Sequence, residues 1–219
     1  MRSFRAPDFI TFTGVDERTS IGGMADLAEQ YPIEWGVLFS QSRQGADNRY
    51  PEHDFVERLL STEMRFSAHL CGQYARFIMD GREISAPVRL EAFSRIQVNH
   101  ADPDPVRVLK IRTQTGAVPP KVRRIGQCDR DVFPQISAID WLFDRSGGTG
   151  ATPGIWPPYP GRRVGYAGGI GPDNVIAVLE AISATGSYWI DMETKVRTGN
   201  WLDLSLCREV CELVYGGAI

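Results

Sequence analysis

Eight short runs of apolar and β-branched residues alternate with helical patterns and predict a closed (β/α)8 barrel spanning residues 1–219. The units are each about 25 residues long, near the lower limit for such a barrel. The stretch Arg162 to Val175, RRVGYAGGIGPDNV, reads as strand, tight turn and helix opening. An open doubly wound sheet is the runner-up, but it needs fewer strands and leaves the fourth and fifth units unexplained. No linker divides the chain, so one barrel domain is expected.

Phe9 to Thr13 is a run of β-branched and aromatic residues ended by Gly14, hence the first strand. Ile21 to Gln30 has helical spacing through Ile21, Met24, Leu27 and Ala28. Glu34 to Ser40 is the second strand. After a polar loop, Pro51 and Glu52 open a helix through Phe55, Val56, Leu59 and Leu60. Phe66 to Cys71 is the third strand, followed by a helix from Gly72 through Tyr74, Phe77 and Ile78. Phe93 to Asn99 is the fourth, with a helix over Asp104 to Thr113. Lys121 to Gln127 and Asp129 to Gln135 form the fifth strand and helix. Ala138 to Asp144 is the sixth strand, and the glycine- and proline-rich Thr149 to Gly161 is a long active-site loop. Val164 to Ala167, with a helix through Val175, Val178, Leu179 and Ile182, makes the seventh unit. Tyr188 to Thr194 and the amphipathic Leu202 to Tyr215 make the eighth.

The net charge of −3 is spread along the chain, which argues against a nucleic-acid footprint. The longest apolar runs fall short of a membrane span, and MRSFRAPDF has no apolar signal core. Cys71, Cys128, Cys207 and Cys211 lack C-x-x-C spacing, and His53, His69 and His100 lack zinc-ligand spacing. Free thiols in a cytoplasmic protein, with no metal and no cofactor, are therefore expected.

In such barrels, ligands bind at the C-terminal strand ends, and phosphate commonly sits on the loops after strands seven and eight. Gly168, Gly169 and Gly171 let the backbone approach a ligand, and the helix N-terminus beyond suits a phosphate. The expected strand-end residues are Thr13, Ser40, Cys71, Asn99, Gln127, Asp144 and Asp191. Asp144 ends an apolar strand at the barrel mouth, where partial desolvation suits it to proton donation; the alternatives are a helix cap or a bridge to Arg145. Cys71 is a nucleophile or base, or simply buried; His69, on the same side of the strand, reads as a core histidine. Asp191 and Glu193 disfavour a nearby phosphate unless they pair with Lys195 or Arg197.

These segments resemble phosphoribosylanthranilate isomerase of tryptophan biosynthesis, a (β/α)8 barrel that performs an Amadori rearrangement without metal or organic cofactor. YAGGIGPDNV resembles its phosphate turn. FDRSGGTG resembles its aspartate strand and GGTG loop, which implies Asp144 as general acid and Gly148 and Thr149 as ligand contacts. IDMETKVRTG is similar to the eighth-strand phosphate loop, with Asp191 and Thr194. RIQVNH resembles the fourth-strand glutamine motif through Gln97, and RYPEHDF resembles the second-loop arginine segment, which implies Arg49 as a substrate contact. TFTGVD resembles the first strand.

The chain departs from that pattern where the chemistry is concentrated. The family's general base is a cysteine before the first-strand glycine, and here that position is Thr13, whose hydroxyl supplies essentially no anion at neutral pH. The fourth-strand histidine is Asn99, and in the eighth loop serines and a glycine become Glu193, Thr194 and Lys195. Either another base serves (Cys71, Asp16 or Asp191), or a different reaction runs on a related phosphorylated ligand, or binding is kept without catalysis. The expected protein is thus an isomerase-like barrel, monomeric or homodimeric, taking a phosphorylated small molecule. A non-catalytic binding barrel is the alternative. A Schiff-base aldolase ranks last, since no lysine is expected inside the barrel near a strand end.

Overall fold

A computed structural model describes residues 3–85, 89–147 and 149–216. The strands are β1 (Phe9–Thr13), β2 (Ile33–Phe39), β3 (Phe66–Leu70), β4 (Arg95–Val98), β5 (Arg123–Cys128), β6 (Asp140–Asp144), β7 (Val164–Ala167) and β8 (Tyr188–Met192). They close into a barrel in the order β1-β8-β7-β6-β5-β4-β3-β2, each neighbour parallel. The helices are α1 (Ile21–Gln30), α2 (His53–Leu60), α3 (Gln73–Met79), α4 (Pro105–Leu109), α5 (Val175–Ile182) and α6 (Leu204–Tyr215). Among the described residues, no helix is long and apolar enough to cross a membrane.

Strand side chains alternate, and the two sets have different surroundings. Ile10, Phe12, Trp35, Val37, Phe39, Ala68 and Ile190 face outward and pack with Met24, Leu27, Phe55, Val56, Leu59, Val178 and Val210 of the helices. The interior holds a smaller apolar cluster, Phe9, Ile125, Leu142, Ala167 and Trp189. Gly165 leaves the space that the Trp189 ring occupies; a Cβ there would overlap the indole. Apart from Leu38, the remainder of the interior is largely polar: Thr11, Glu34, Ser67, His69, Arg95, Gln97 and Asp191 are all buried. Arg95, on β4, reaches Glu34 on β2 and Thr11 on β1, contacts possible only through the barrel axis.

Two expected helices change. The run over Asp104 to Thr113 is helical only at Pro105–Leu109, capped by the Asp104 side chain on the Val106 and Arg107 amides. Arg112–Thr113 then pairs with Gly116–Ala117 as a hairpin, where Gly116 takes φ +124°. Asp129 to Gln135 forms no helix: Pro134 lacks an N–H and steers Phe133 away from helical backbone. Asp173 and Pro172 precede the seventh helix, which starts at Val175 with Asn174 as its cap. The fifth and sixth units therefore have no α-helix among the described residues.

The segment Thr149 to Gly161 takes the place of the sixth helix. Trp156 meets Phe143 of β6 edge-on at 5.7 Å and Tyr166 of β7 at 6.2 Å. Phe133, from the fifth unit's loop, meets Tyr166 at 5.4 Å. The loop thus covers the outer face of its own barrel with aromatic rings.

Candidate active site at the barrel mouth

A cavity of about 610 Å³ opens at the C-terminal ends of the strands. Thr13, Cys71, Gln97, Asp144, Thr149, Gly168, Gly169, Asp191, Thr194 and Arg49 all line it. Gly171 lies off the cavity, beneath the Lys195 side chain. Gly148 lies outside the described residues. Among the described residues, no three His, Cys, Asp or Glu side chains converge as metal ligands would.

Asp144 and Asp191 are both register partners of Ala167. They stand on one rung, either side of β7, with Cα atoms roughly 9 Å apart at ordinary strand spacing. Their environments differ. Asp144 is half-buried, and its Oδ1 accepts hydrogen bonds from the Ser146 amide at 2.9 Å and hydroxyl at 2.7 Å. Arg145 turns away to Asp131 and the Asp129 carbonyl, so it forms no bridge to Asp144. Asp191 is buried, and desolvation pushes its carboxyl well above the usual carboxylate range; the hydrogen bond from Thr13 and the charge of Arg95 offset this only in part. The Thr13 hydroxyl donates to Asp191 Oδ1 at 2.8 Å.

The candidate bases separate on these grounds. Burial pushes the Cys71 thiol up to about 12, so it is protonated at neutral pH. Asp16 is fully buried in an ion pair with Arg197 at 3.0 Å and also accepts the Leu202 amide. Burial pushes His69 down to about 3, so it is neutral beside Ser67, at 3.0 Å. His69 Nε2 lies 3.9 Å from Asp191 Oδ2, a pair in which burial favours the uncharged form of each group. Asp191 remains as the buried mouth carboxyl, in hydrogen-bond contact with Thr13.

A chain of polar side chains fills the opposite wall. Gln97 donates to Asn99 at 2.9 Å, and Asn99 donates to the Cys71 sulfur at 3.2 Å. Arg43 donates to the Tyr50 hydroxyl at 3.3 Å. Arg49 pairs with Glu193 at 3.0 Å. Burial raises Glu193, and Arg49 partly restores it.

The glycine turn is built for close approach. Gly168 and Gly169 take φ +115° and +58°, which non-glycine residues rarely adopt. Asn174 staples the turn: its Oδ1 accepts from the Gly171 amide at 2.9 Å and its Nδ2 donates to the Gly169 carbonyl at 2.8 Å. Thr152 donates to the same carbonyl at 3.1 Å. Lys195 crosses the turn and bonds both oxygens of Asp173, at 2.8 and 3.1 Å. The acidic residues of the eighth loop therefore find partners other than those expected: Asp191 takes Thr13, Glu193 takes Arg49, Arg197 takes Asp16, and Lys195 takes Asp173.

Fold and mouth together define a (β/α)8 barrel with a polar cavity on its C-terminal face. Its backbone is similar to that of N-(5'-phosphoribosyl)anthranilate isomerase from Pyrococcus furiosus, at TM-score 0.59 and 15% identity over 95% of this chain and 98% of that one. Phosphoribosyl anthranilate isomerase from Thermococcus kodakaraensis gives 0.57 and 17% over 96% and 100%. The tryptophan synthase α-subunit from P. furiosus gives 0.51 and 12% over 99% and 100%. No protein-family model and no curated protein sequence matches the chain. At these identities the likeness establishes the shared fold.

Proposed function

We propose that this barrel binds a phosphorylated sugar derivative at its mouth and isomerises it by acid–base catalysis, in the manner of an Amadori rearrangement. The observation that carries the reading is the pair Asp144 and Asp191 on one rung of one cavity, in unlike environments. The phosphate would sit against Gly168, Gly169 and Thr194, with Lys195 supplying positive charge. Asp144 donates a proton to the ring oxygen as the sugar opens. Asp191, once ionised and with Thr13 orienting its carboxylate, removes the proton from the adjacent carbon, and the bonding electrons stay in the substrate as the double bond shifts. Burial raises the proton affinity of Asp191 and makes its ionised form a stronger base than an exposed carboxylate.

A binding barrel without turnover is the second reading. It is favoured by Thr13 at the cysteine position and by Arg49 being engaged with Glu193. Thermal unfolding with ribose 5-phosphate tests what both readings share. A ligand at a hundredfold excess over Kd stabilises by about 2.7 kcal/mol. That gain should disappear in Gly169→Ala, and its absence in the native chain would refute both readings. Incubation with a phosphoribosylated arylamine separates them. Turnover that falls about 10²- to 10⁴-fold in Asp144→Asn supports the enzyme; binding without turnover supports the binding barrel.

A further inference from the structure

Four arginines stand at the other end of the barrel. Arg65 precedes β3, Arg95 and Arg123 begin β4 and β5, and Arg163 precedes β7. Arg95 and Arg123 are register partners. The guanidiniums of Arg65, Arg95 and Arg163 lie 3.9, 4.6 and 5.5 Å from the centre of the Phe9 ring, so the three form one cluster. Two carboxylates serve all four arginines. Glu34 takes Arg95 and Arg65, and Asp140 takes Arg123 at 3.1 Å and Arg163 at 3.9 Å. Two positive charges are left over. The nearby Arg5 and Asp8 neutralise each other at 3.0 Å.

A second, independent observation concerns hydrogen bonding. Arg95 is 1% exposed, and its Nη1 is buried without an acceptor; Arg163 Nε is buried without a hydrogen-bond acceptor as well. Buried donors of charged groups are ordinarily satisfied, and an exception marks a place for water or an ion. Arg163, Arg65 and Arg123 remain partly exposed, with side chains 26%, 37% and 49% accessible, so an anion can reach them from solvent.

We propose that the N-terminal face of the barrel carries a second ligand site, in which Arg65, Arg123 and Arg163 over the buried Arg95 bind a free phosphate-type oxyanion. Forked guanidinium donors match the oxygens of such an anion. The anion accepts from the exposed edges of Arg65, Arg123 and Arg163 and neutralises the two excess charges, with Arg95 adding its charge from beneath. This site is independent of the glycine turn, which lies at the opposite ends of the strands.

Arginine Nε–Hε resonances of the native chain, followed by NMR during titration with inorganic phosphate at constant ionic strength, test the assignment. Saturable shifts of Arg163 and Arg123 are expected, unchanged in Gly169→Ala. Binding at least about tenfold weaker is expected in Arg123→Gln/Arg163→Gln. Non-saturating drift equal to that caused by chloride, or saturable shifts confined to mouth arginines such as Arg49, would overturn it. The titration of the native chain decides the matter even if the double variant unfolds.

Discussion

Glu34 is the anionic centre of the barrel floor, and replacing it by glutamine measures what that centre contributes. It is fully buried, and Arg95 beside it is 1% exposed. Arg95 Nε lies 2.9 Å from both of its oxygens, and Arg65 Nε donates to Oε2 at 2.8 Å. Burial alone would raise Glu34, but the Arg95 guanidinium, reinforced by Arg65, more than offsets this and holds it below its usual value. In Glu34→Gln, Arg95 keeps its burial and loses its counter-charge, while Arg65 turns to solvent. Breaking one partner of a buried pair costs about 3–5 kcal/mol. For a chain of this length each kcal/mol moves Tm by about 2–4 °C, so a fall of roughly 6–20 °C is expected. Urea unfolding at pH 7 and calorimetry both read it. Glu34→Met/Arg95→Met removes both charges and should recover most of the loss. Because the folded value of Glu34 is lowered, its contribution is present above the unfolded value, about 4, and is lost as pH falls through the folded one. A Glu34→Gln chain within about 1 kcal/mol of the native one would refute the argument, as would a double variant no more stable than the single.

Three further outcomes follow from the mouth. Asp191 has a raised folded value, so the folded chain binds its proton more tightly than the unfolded chain does, and stability falls as pH rises from about 4 through that value. Urea unfolding between pH 4 and 8 should show this component in the native chain and not in Asp191→Asn; equal slopes would count against the burial argument. Gly169→Ala places a side chain at φ +58° against the Gly150 carbonyl and Thr152 amide, and should cost at least about 1–2 kcal/mol in equilibrium unfolding. Cys71, with its thiol pushed up to about 12, should react with iodoacetamide at pH 8 far more slowly than a small-molecule thiol, as mass spectrometry of its peptide would show; rapid alkylation would contradict its placement.

Most strands were legible because they are apolar or β-branched runs of the right length, the charged Lys121 to Gln127 being the exception, and α1 spans Ile21–Gln30 as its spacing indicates. Asp129 to Gln135 fails as a helix because Pro134 removes a donor in mid-segment. Most candidate site residues share the mouth because strand ends converge there by topology, and that much follows from counting strands. Their partners do not. The Thr13–Asp191 bond joins residues 178 apart, and the Arg49–Glu193 pair joins residues 144 apart. Glu34 and Arg95 lie at or near strand starts, 61 residues apart, and no local spacing links them. Only closure of the barrel brings them to its axis, where each needs the other.

The segment that replaces the sixth helix joins two places that a helix would keep apart. At one end Thr152 holds the Gly169 carbonyl, and four residues later Trp156 is wedged over Phe143 and Tyr166 on the flank. A helix is its own scaffold and isolates one end from the other. This strap has no internal ladder, so tension at the glycine turn passes along a few backbone bonds to an indole. A displacement of the turn is therefore expected to reach the Trp156 ring, and the difference in emission between the native chain and Trp156→Phe, in which the other four tryptophans are retained, would read it.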